Sequence, residues 1–257
     1  MSDILFSIHN SIGKIVLNRP DVLNSFNMSM AKEFQAALDE CAAAKSVRCI
    51  LITGEGRAFS AGQDLAAAIA PGVEIKQIVQ EQYNPIILKL RQLEKPVVCA
   101  VNGVAAGAGA NIAFACDIAL AASSATFIQA FSKIGLVPDS AGTFFLPRLI
   151  GLQRSTALMM LGDKLTAQQA VEYGLIYKVF PDESLMVEAE KMATRLASMP
   201  TKGLGYTKRL LNASLHNNLN QQLEMEGEMQ EAAAKTLDHK EGVQAFLEKR
   251  KPVFKGE

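Results

Sequence analysis

Tryptophan is absent from the 257-residue chain, histidine occurs three times and cysteine four times. Neither sign of charge is in excess, because 26 lysines and arginines stand against 26 aspartates and glutamates. Each shortage excludes something. A neutral balance supplies no long-range field to gather nucleic acid, an anionic membrane or a highly charged partner. Cys41, Cys49, Cys99 and Cys116 lie far apart in apolar surroundings with no CxxC pair. With only His9, His216 and His239 to join them, they form no metal-ligand pattern and are expected to be reduced, buried, small hydrophobes. The chain has no GxSxG segment, so Ser-His or Cys-His chemistry has little to build on. No apolar run approaches the roughly 20 residues of a membrane span. The opening "MSDILFSIHN" has neither a basic leader nor a cleavage site, and a cytoplasmic location is the expectation.

Apolar residues make up 49% of the chain, enough for one large body with a real core. Residues 3–8 and 13–18 are expected to pair as a hairpin. A helix is expected over 28–45, and "VRCILITG" (47–54) and "KPVVCAVNG" (95–103) read as strands buried on both faces. Residues 55–65 read as a loop. A helical stretch interrupted near Pro85 follows, then short strands at 117–123 and 125–129. From about Gly135 the pattern turns helical: 140–149, 152–161, 166–173, 183–198, 202–215 and 219–248, with one strand in 175–180. The expected class is α/β, with a strand-rich body and a helical C-terminal third.

Glycine is concentrated at two junctions. "FSAGQD" (59–64) and "GVAAGAGAN" (103–111) each follow a buried strand and each place small residues where a helix begins. The first amides of a helix lack an intrahelical partner and point outward with the positive end of the dipole. Without Cβ bulk, a ligand oxygen can come within hydrogen-bond distance of them. A dinucleotide pyrophosphate fits poorly, since the third glycine of GxGxxG is replaced by Ile112. An oxyanion developing from a carbonyl fits better, because two amides from two loops are the right count. Close helix–sheet packing would explain the small residues of either loop alone.

Taken together, "RAFSAGQDL", "KPVVCAVNGVAAGAGANIAFACDIALAASSATF" and "IGLVPDSAGTFFLPRLIG" resemble the crotonase superfamily of acyl-CoA enzymes, the enoyl-CoA hydratase/isomerase family. The likeness runs from about residue 5 to 250. It implies a spiral of ββα units over 1–195 and a helical trimerisation region over 196–257, giving a homotrimer or a dimer of trimers. It also implies an acyl-CoA substrate, with coenzyme A part of that substrate and no separate cofactor or metal. The thioester oxygen would sit between the backbone amides of Gln63 and Ala108. Leu23, Ser25, Ala61, Gly62, Asp64, Leu65 and Gly109 match positions along the substrate path.

The hydratases of this family use two glutamates, and Asn111 and Phe131 occupy those positions here. Neither can transfer a proton, so water addition is not expected. Asp139 matches the proton-shuttling acid of several double-bond isomerases. Burial among Phe127, Phe131, Ile134 and Val137 would raise its pKa above about 3.9. Its alternative role is capping a helix near Ser140. Asn111 would position substrate or water, or bond to local backbone. Phe131 suggests an apolar or ring-bearing acyl group, or fills core volume. The combination of Asn111, Phe131 and a lone Asp139 most resembles members that turn ring-epoxidised phenylacetyl-CoA into its oxepin. Δ3-Δ2 isomerisation of a fatty enoyl-CoA is the alternative, and a non-catalytic acyl-CoA-binding homologue a further one.

Overall fold

The computed structural model describes residues 2–257. β1 (Ile4–His9) and β2 (Ile12–Leu17) form the expected hairpin. Its two-residue turn puts Asn10 at φ 49° and Ser11 at φ 63°, the left-handed pair that matches strand twist. β3 (Cys49–Gly54), β5 (Val97–Val101), β7 (Ile118–Ala122) and β10 (Lys178–Phe180) extend this pair in parallel, in the order β1-β2-β3-β5-β7-β10. β3 and β5 are buried along their whole length, as their unbroken apolar runs require.

A second sheet, β4-β6-β8-β9, consists of three-residue strands: β4 (Ala58–Ser60), β6 (Val104–Ala106), β8 (Thr126–Ile128) and β9 (Lys164–Thr166). Three successive turns, β3–β4, β5–β6 and β7–β8, visit the large sheet, then the small one, then helix. This repeat is the spiral that the sequence implies. Residues 55–65 are therefore not all loop, since β4 lies within them. β4 and β6 run parallel, with Ser60 opposite Ala105. Whatever follows β4 thus lies beside whatever follows β6.

The helices are α1 (Met28–Ala43), α2 (Leu65–Ala68), α3 (Ile75–Ile78), α4 (Asn84–Gln92), α5 (Ala108–Ala115), α6 (Gly142–Ile150), α7 (Leu152–Leu161), α8 (Ala167–Tyr173) and α9 (Leu185–Ala197), then α10 (Thr201–Ala213), α11 (Leu219–Ala234) and α12 (Leu237–Leu247). Pro85 does not interrupt the helical stretch as expected. A π turn over Val79–Tyr83 joins α3 to α4 without a break. Pro85 has no N–H for the Glu81 carbonyl four residues back, and Gln35 Nε2 of α1 supplies that bond at 2.9 Å. The single helix expected over 219–248 is two, because Thr236 accepts from the His239 amide and starts α12 afresh.

The C-terminal helices are tied to the spiral by buried charge. Asp117, before β7, accepts from Lys208 Nζ of α10 at 2.8 Å and from Arg91 Nη1 of α4 at 3.1 Å. Arg91 also bonds Asn212 of α10 at 2.5 and 3.0 Å. Burial pushes the Lys208 ammonium pKa down, and the Asp117 charge opposes the shift. Asp117→Ala leaves both cations without their counter-ion, so it should destabilise the fold by about 3 kcal/mol, as broken buried pairs typically do. Urea denaturation reads this as a lower midpoint with an unchanged m-value. At the other end of the chain, Arg48 holds Phe254 O at 2.8 Å, Met199 O at 2.6 Å and Thr201 Oγ1 at 2.9 Å.

Candidate active site

The loop after β4 is pinned on both sides of Gln63. Phe26 N donates to Gly62 O at 2.7 Å, and Asp64 N donates to Phe26 O at 2.9 Å. In a planar trans peptide the N–H points opposite to the carbonyl. With Gly62 O turned toward Phe26, the Gln63 N–H is aimed away from it. Gly62 has φ +89°, and a Cβ there would lie 2.7 Å from Ala106 O and 3.4 Å from Ala108 N. Only glycine lets the two loops approach so closely.

The second loop ends at Gly107 (φ 52°, ψ −125°), and Ala108 is the first residue of α5. Gly107 N is held by Ile128 O at 2.8 Å, and Gly107 O accepts from Asn111 N at 3.1 Å. The Ala108 N–H, in the same peptide unit as that carbonyl, has no helical acceptor behind it. Among the described residues, neither the Gln63 nor the Ala108 amide donates a hydrogen bond to protein. At Gly109 a Cβ would meet Ser60 O at 2.6 Å, so this small residue serves close packing of α5 on the β4 loop. Close packing therefore accounts for Gly109, and at Gly62 for the close approach of the two loops.

Asp139 is tied to α5 through Asn111, one helical turn beyond Ala108. Its carbonyl accepts from Asn111 Nδ2 at 2.9 Å and from Gly142 N at 2.9 Å. The side chain is half-buried, and its recorded partner is Ser140 Oγ at 2.8 Å. It does not cap α6, whose N-cap is Ala141 in the left-handed conformation with no side-chain bond. Burial raises the Asp139 pKa, and the Ser140 hydroxyl opposes the rise. The expected shell around it needs correction: Phe127 and Phe131 are buried, but Ile134 is 51% and Val137 is 81% exposed. Those two residues are exposed rather than part of a buried shell.

Asn111, read in the sequence as positioning substrate or water or as bonding local backbone, bonds to protein groups distant along the chain. It is buried, donating to the Asp139 carbonyl and accepting from Gln129 Nε2 at 2.9 Å. The structure makes it a clamp under the Asp139 loop, and Gly142 exists to admit it, since a Cβ there would lie 2.5 Å from Asn111 Nδ2. Phe131 is buried beside Gly107, 3.6 Å from where a Cβ would stand. On the other flank, Leu23 O accepts from Ala61 N at 2.9 Å, and Ser25 is buried, its carbonyl held by Arg19 Nη1 at 2.6 Å. Leu65 is exposed. Asp64 caps α2 and pairs with Arg19 at 3.1 Å, so its carboxylate is engaged by protein.

Three participants were not visible in the sequence. Tyr83 donates to Gln63 Oε1 at 2.7 Å, Arg19 reaches Asp64, and Gln129 holds Asn111. Their partners are 18 to 45 residues away along the chain, and nothing local marks the pairing. No cluster of three or more His, Cys, Asp or Glu side chains able to hold a metal occurs among the described residues. No helix of the described residues is long and apolar enough to cross a membrane.

The profile of the enoyl-CoA hydratase/isomerase family matches residues 7–257. The chain is 45% identical to the 1,2-epoxyphenylacetyl-CoA isomerase of Escherichia coli K12, with 100% of this chain and 99% of that protein aligned. It is 38% identical to the trans-2-decenoyl-[acyl-carrier-protein] isomerase of Streptococcus mutans, over 99% of this chain and 98% of that protein. Among solved structures, an enoyl-CoA hydratase from Bacillus anthracis superposes with a TM-score of 0.93 at 33% identity, over 99% of this chain and 100% of that one.

Proposed function

Because the chain belongs to the enoyl-CoA hydratase/isomerase family, we propose that it isomerises an acyl-CoA thioester, holding the thioester oxygen on the Gln63 and Ala108 amides and moving a proton with Asp139. The observation that carries this is the pair of N–H groups with no protein acceptor, on two loops that the β4–β6 pairing sets beside each other. Such a pair costs stability unless something accepts from it, and a carbonyl that gains negative charge is the acceptor that gains most.

With a β,γ-enoyl thioester as substrate, the second reading below, the α-carbon loses a proton to the Asp139 carboxylate. The electron pair enters the dienolate, whose oxygen charge the two amides stabilise. The same carboxyl then returns the proton to the γ-carbon, leaving the double bond between the α- and β-carbons. One carboxyl suffices because atoms are only relocated. Hydration would need a second proton-transfer group to activate water. Asn111 and Phe131 stand where that group would be, and Asn111 is tied to the Asp139 loop.

The preferred acyl group we assign is the ring-epoxidised phenylacetyl unit, in keeping with the 45%-identical isomerase, with a fatty β,γ-enoyl-CoA as the second reading. Presenting the purified protein with trans-3-enoyl-CoA, crotonyl-CoA and phenylacetyl-CoA epoxide tests both. Conversion of the epoxide to oxepin supports the first reading, and conversion of the 3-enoyl ester alone supports the second. Hydration of crotonyl-CoA as the main activity contradicts the isomerase assignment. A trimer is also part of the proposal: α11 spans 16 residues with none buried, and Phe246 and Leu247 of α12 are 82% and 70% exposed. Helices this bare call for a second copy to cover them.

The pH dependence follows from the direction of the Asp139 shift. The base form must be ionised, and burial raises its pKa. Activity on a β,γ-enoyl ester should therefore fall toward acid with a midpoint in kcat/KM above the ordinary carboxylate value of about 3.9. A profile flat down to pH 4 in a still-folded protein would remove Asp139 from the role of base.

A further inference from the structure

We infer that Tyr83 is a positioning residue for the oxyanion-binding amide of Gln63, a role that rests on the assignment above. Tyr83 is fully buried and closes the π turn over Val79–Tyr83. Such turns are commonly retained where they re-aim a functional side chain. Its hydroxyl donates to Gln63 Oε1 at 2.7 Å, and its ring stands edge-on to Phe26 with centroids 6.0 Å apart. Phe26 is the residue that pins both peptide units flanking Gln63.

Tyr83 thus braces the same loop at two points. The ring backs Phe26, whose main chain fixes the peptide planes, and the hydroxyl fixes the side chain between them. Gln63 Nε2 closes the arrangement on Asp64 O at 3.1 Å. With the side chain held at its tip, the backbone at Gln63 has no freedom to rotate its N–H out of line. An oxyanion donor works only if its aim is set before charge develops, and a loose amide must be reoriented at the cost of rate. Burial, together with the charges of Asp139 and Asp64, raises the phenol pKa well above its usual value. The hydroxyl therefore stays protonated and remains a donor throughout the working pH range.

Tyr83→Phe is a clean probe because the ring and its contact with Phe26 remain. With a β,γ-enoyl-CoA, the loss of one fixing hydrogen bond should lower kcat roughly tenfold and leave KM within about twofold. Gln63→Ala should lower kcat as well, and adding Tyr83→Phe to it should cost nothing more, since the bond is already gone. A structural role would not give the spectroscopic result. A cinnamoyl-type thioester, whose absorption moves to longer wavelength as its carbonyl is polarised, should shift on binding to the wild type and shift less in Tyr83→Phe at saturating ligand.

A full shift together with wild-type kcat in Tyr83→Phe overturns the inference, as does full additivity with Gln63→Ala. If the wild type binds the thioester with no shift at all, the oxyanion assignment itself has failed, and the role of Tyr83 falls with it.

Discussion

Asp139→Asn is expected to reduce turnover of a β,γ-enoyl-CoA by between a hundredfold and ten-thousandfold, the usual range for loss of a positioned acid–base group. Asparagine keeps the shape of the side chain and can still meet Ser140 Oγ, which now bonds Asp139 Oδ1 at 2.8 Å. The clamp from Asn111 acts on the residue 139 carbonyl and is untouched by the change. Fold and ester binding should both survive, so the loss belongs in kcat with KM nearly constant. The variant should also gain slightly in stability at neutral pH. A carboxyl with a raised folded-state pKa binds its proton more tightly when folded, and so disfavours the fold as pH rises through the window between its unfolded and folded values. Removing it removes that penalty. Near-normal turnover in this variant would leave Asp139 no catalytic role.

The second large effect is expected at a backbone atom. Ala108→Pro deletes the amide hydrogen of the first residue of α5, a position where proline is well tolerated because that hydrogen has no helical acceptor. Helix and fold should persist, with thermal unfolding close to that of the wild type. The thioester oxygen loses one of its two donors, which costs roughly a hundred- to a thousandfold in kcat. Ala108→Gly keeps the N–H and serves as the control. It should retain most of the activity, because the donor is main chain and the methyl contributes only packing. If the proline variant worked as well as the glycine variant, the amide would not be a donor in the reaction.

The large sheet was legible because burial on both faces writes an unbroken apolar run, as in Cys49–Gly54 and Val97–Val101. The small sheet was not, since Ala58–Ser60 and Val104–Ala106 span three residues each and cannot display a period. These two strands nonetheless bring the glycine-rich loops together, so the loops could be found as motifs but their juxtaposition could not be derived from them. Helix periodicity ran over the joint at Lys235–Thr236 because apolar spacing continues through it, while the threonine cap is a local signal of one residue.

At the site, the unpaired amides of Gln63 and Ala108 could be anticipated from small residues, and Asp139 was singled out by its place in the third motif. Its surroundings could not. Ile134 and Val137 look like a desolvating wall in sequence, yet a left-handed Gly135 at φ 72° ends the short 3-10 turn before it, and both side chains lie outside. Asn111 gave no sign of being a clamp, because an amide that bonds protein and one that bonds ligand look alike in sequence.

The most direct test is a crystal structure of the protein with an unreactive acyl-CoA thioester bound. The thioester oxygen is expected roughly 2.7–3.1 Å from both the Gln63 and the Ala108 nitrogens, with the Asp139 carboxyl facing the α-carbon. An oxygen bound elsewhere, or either amide donating to a protein carbonyl in the complex, would contradict the account.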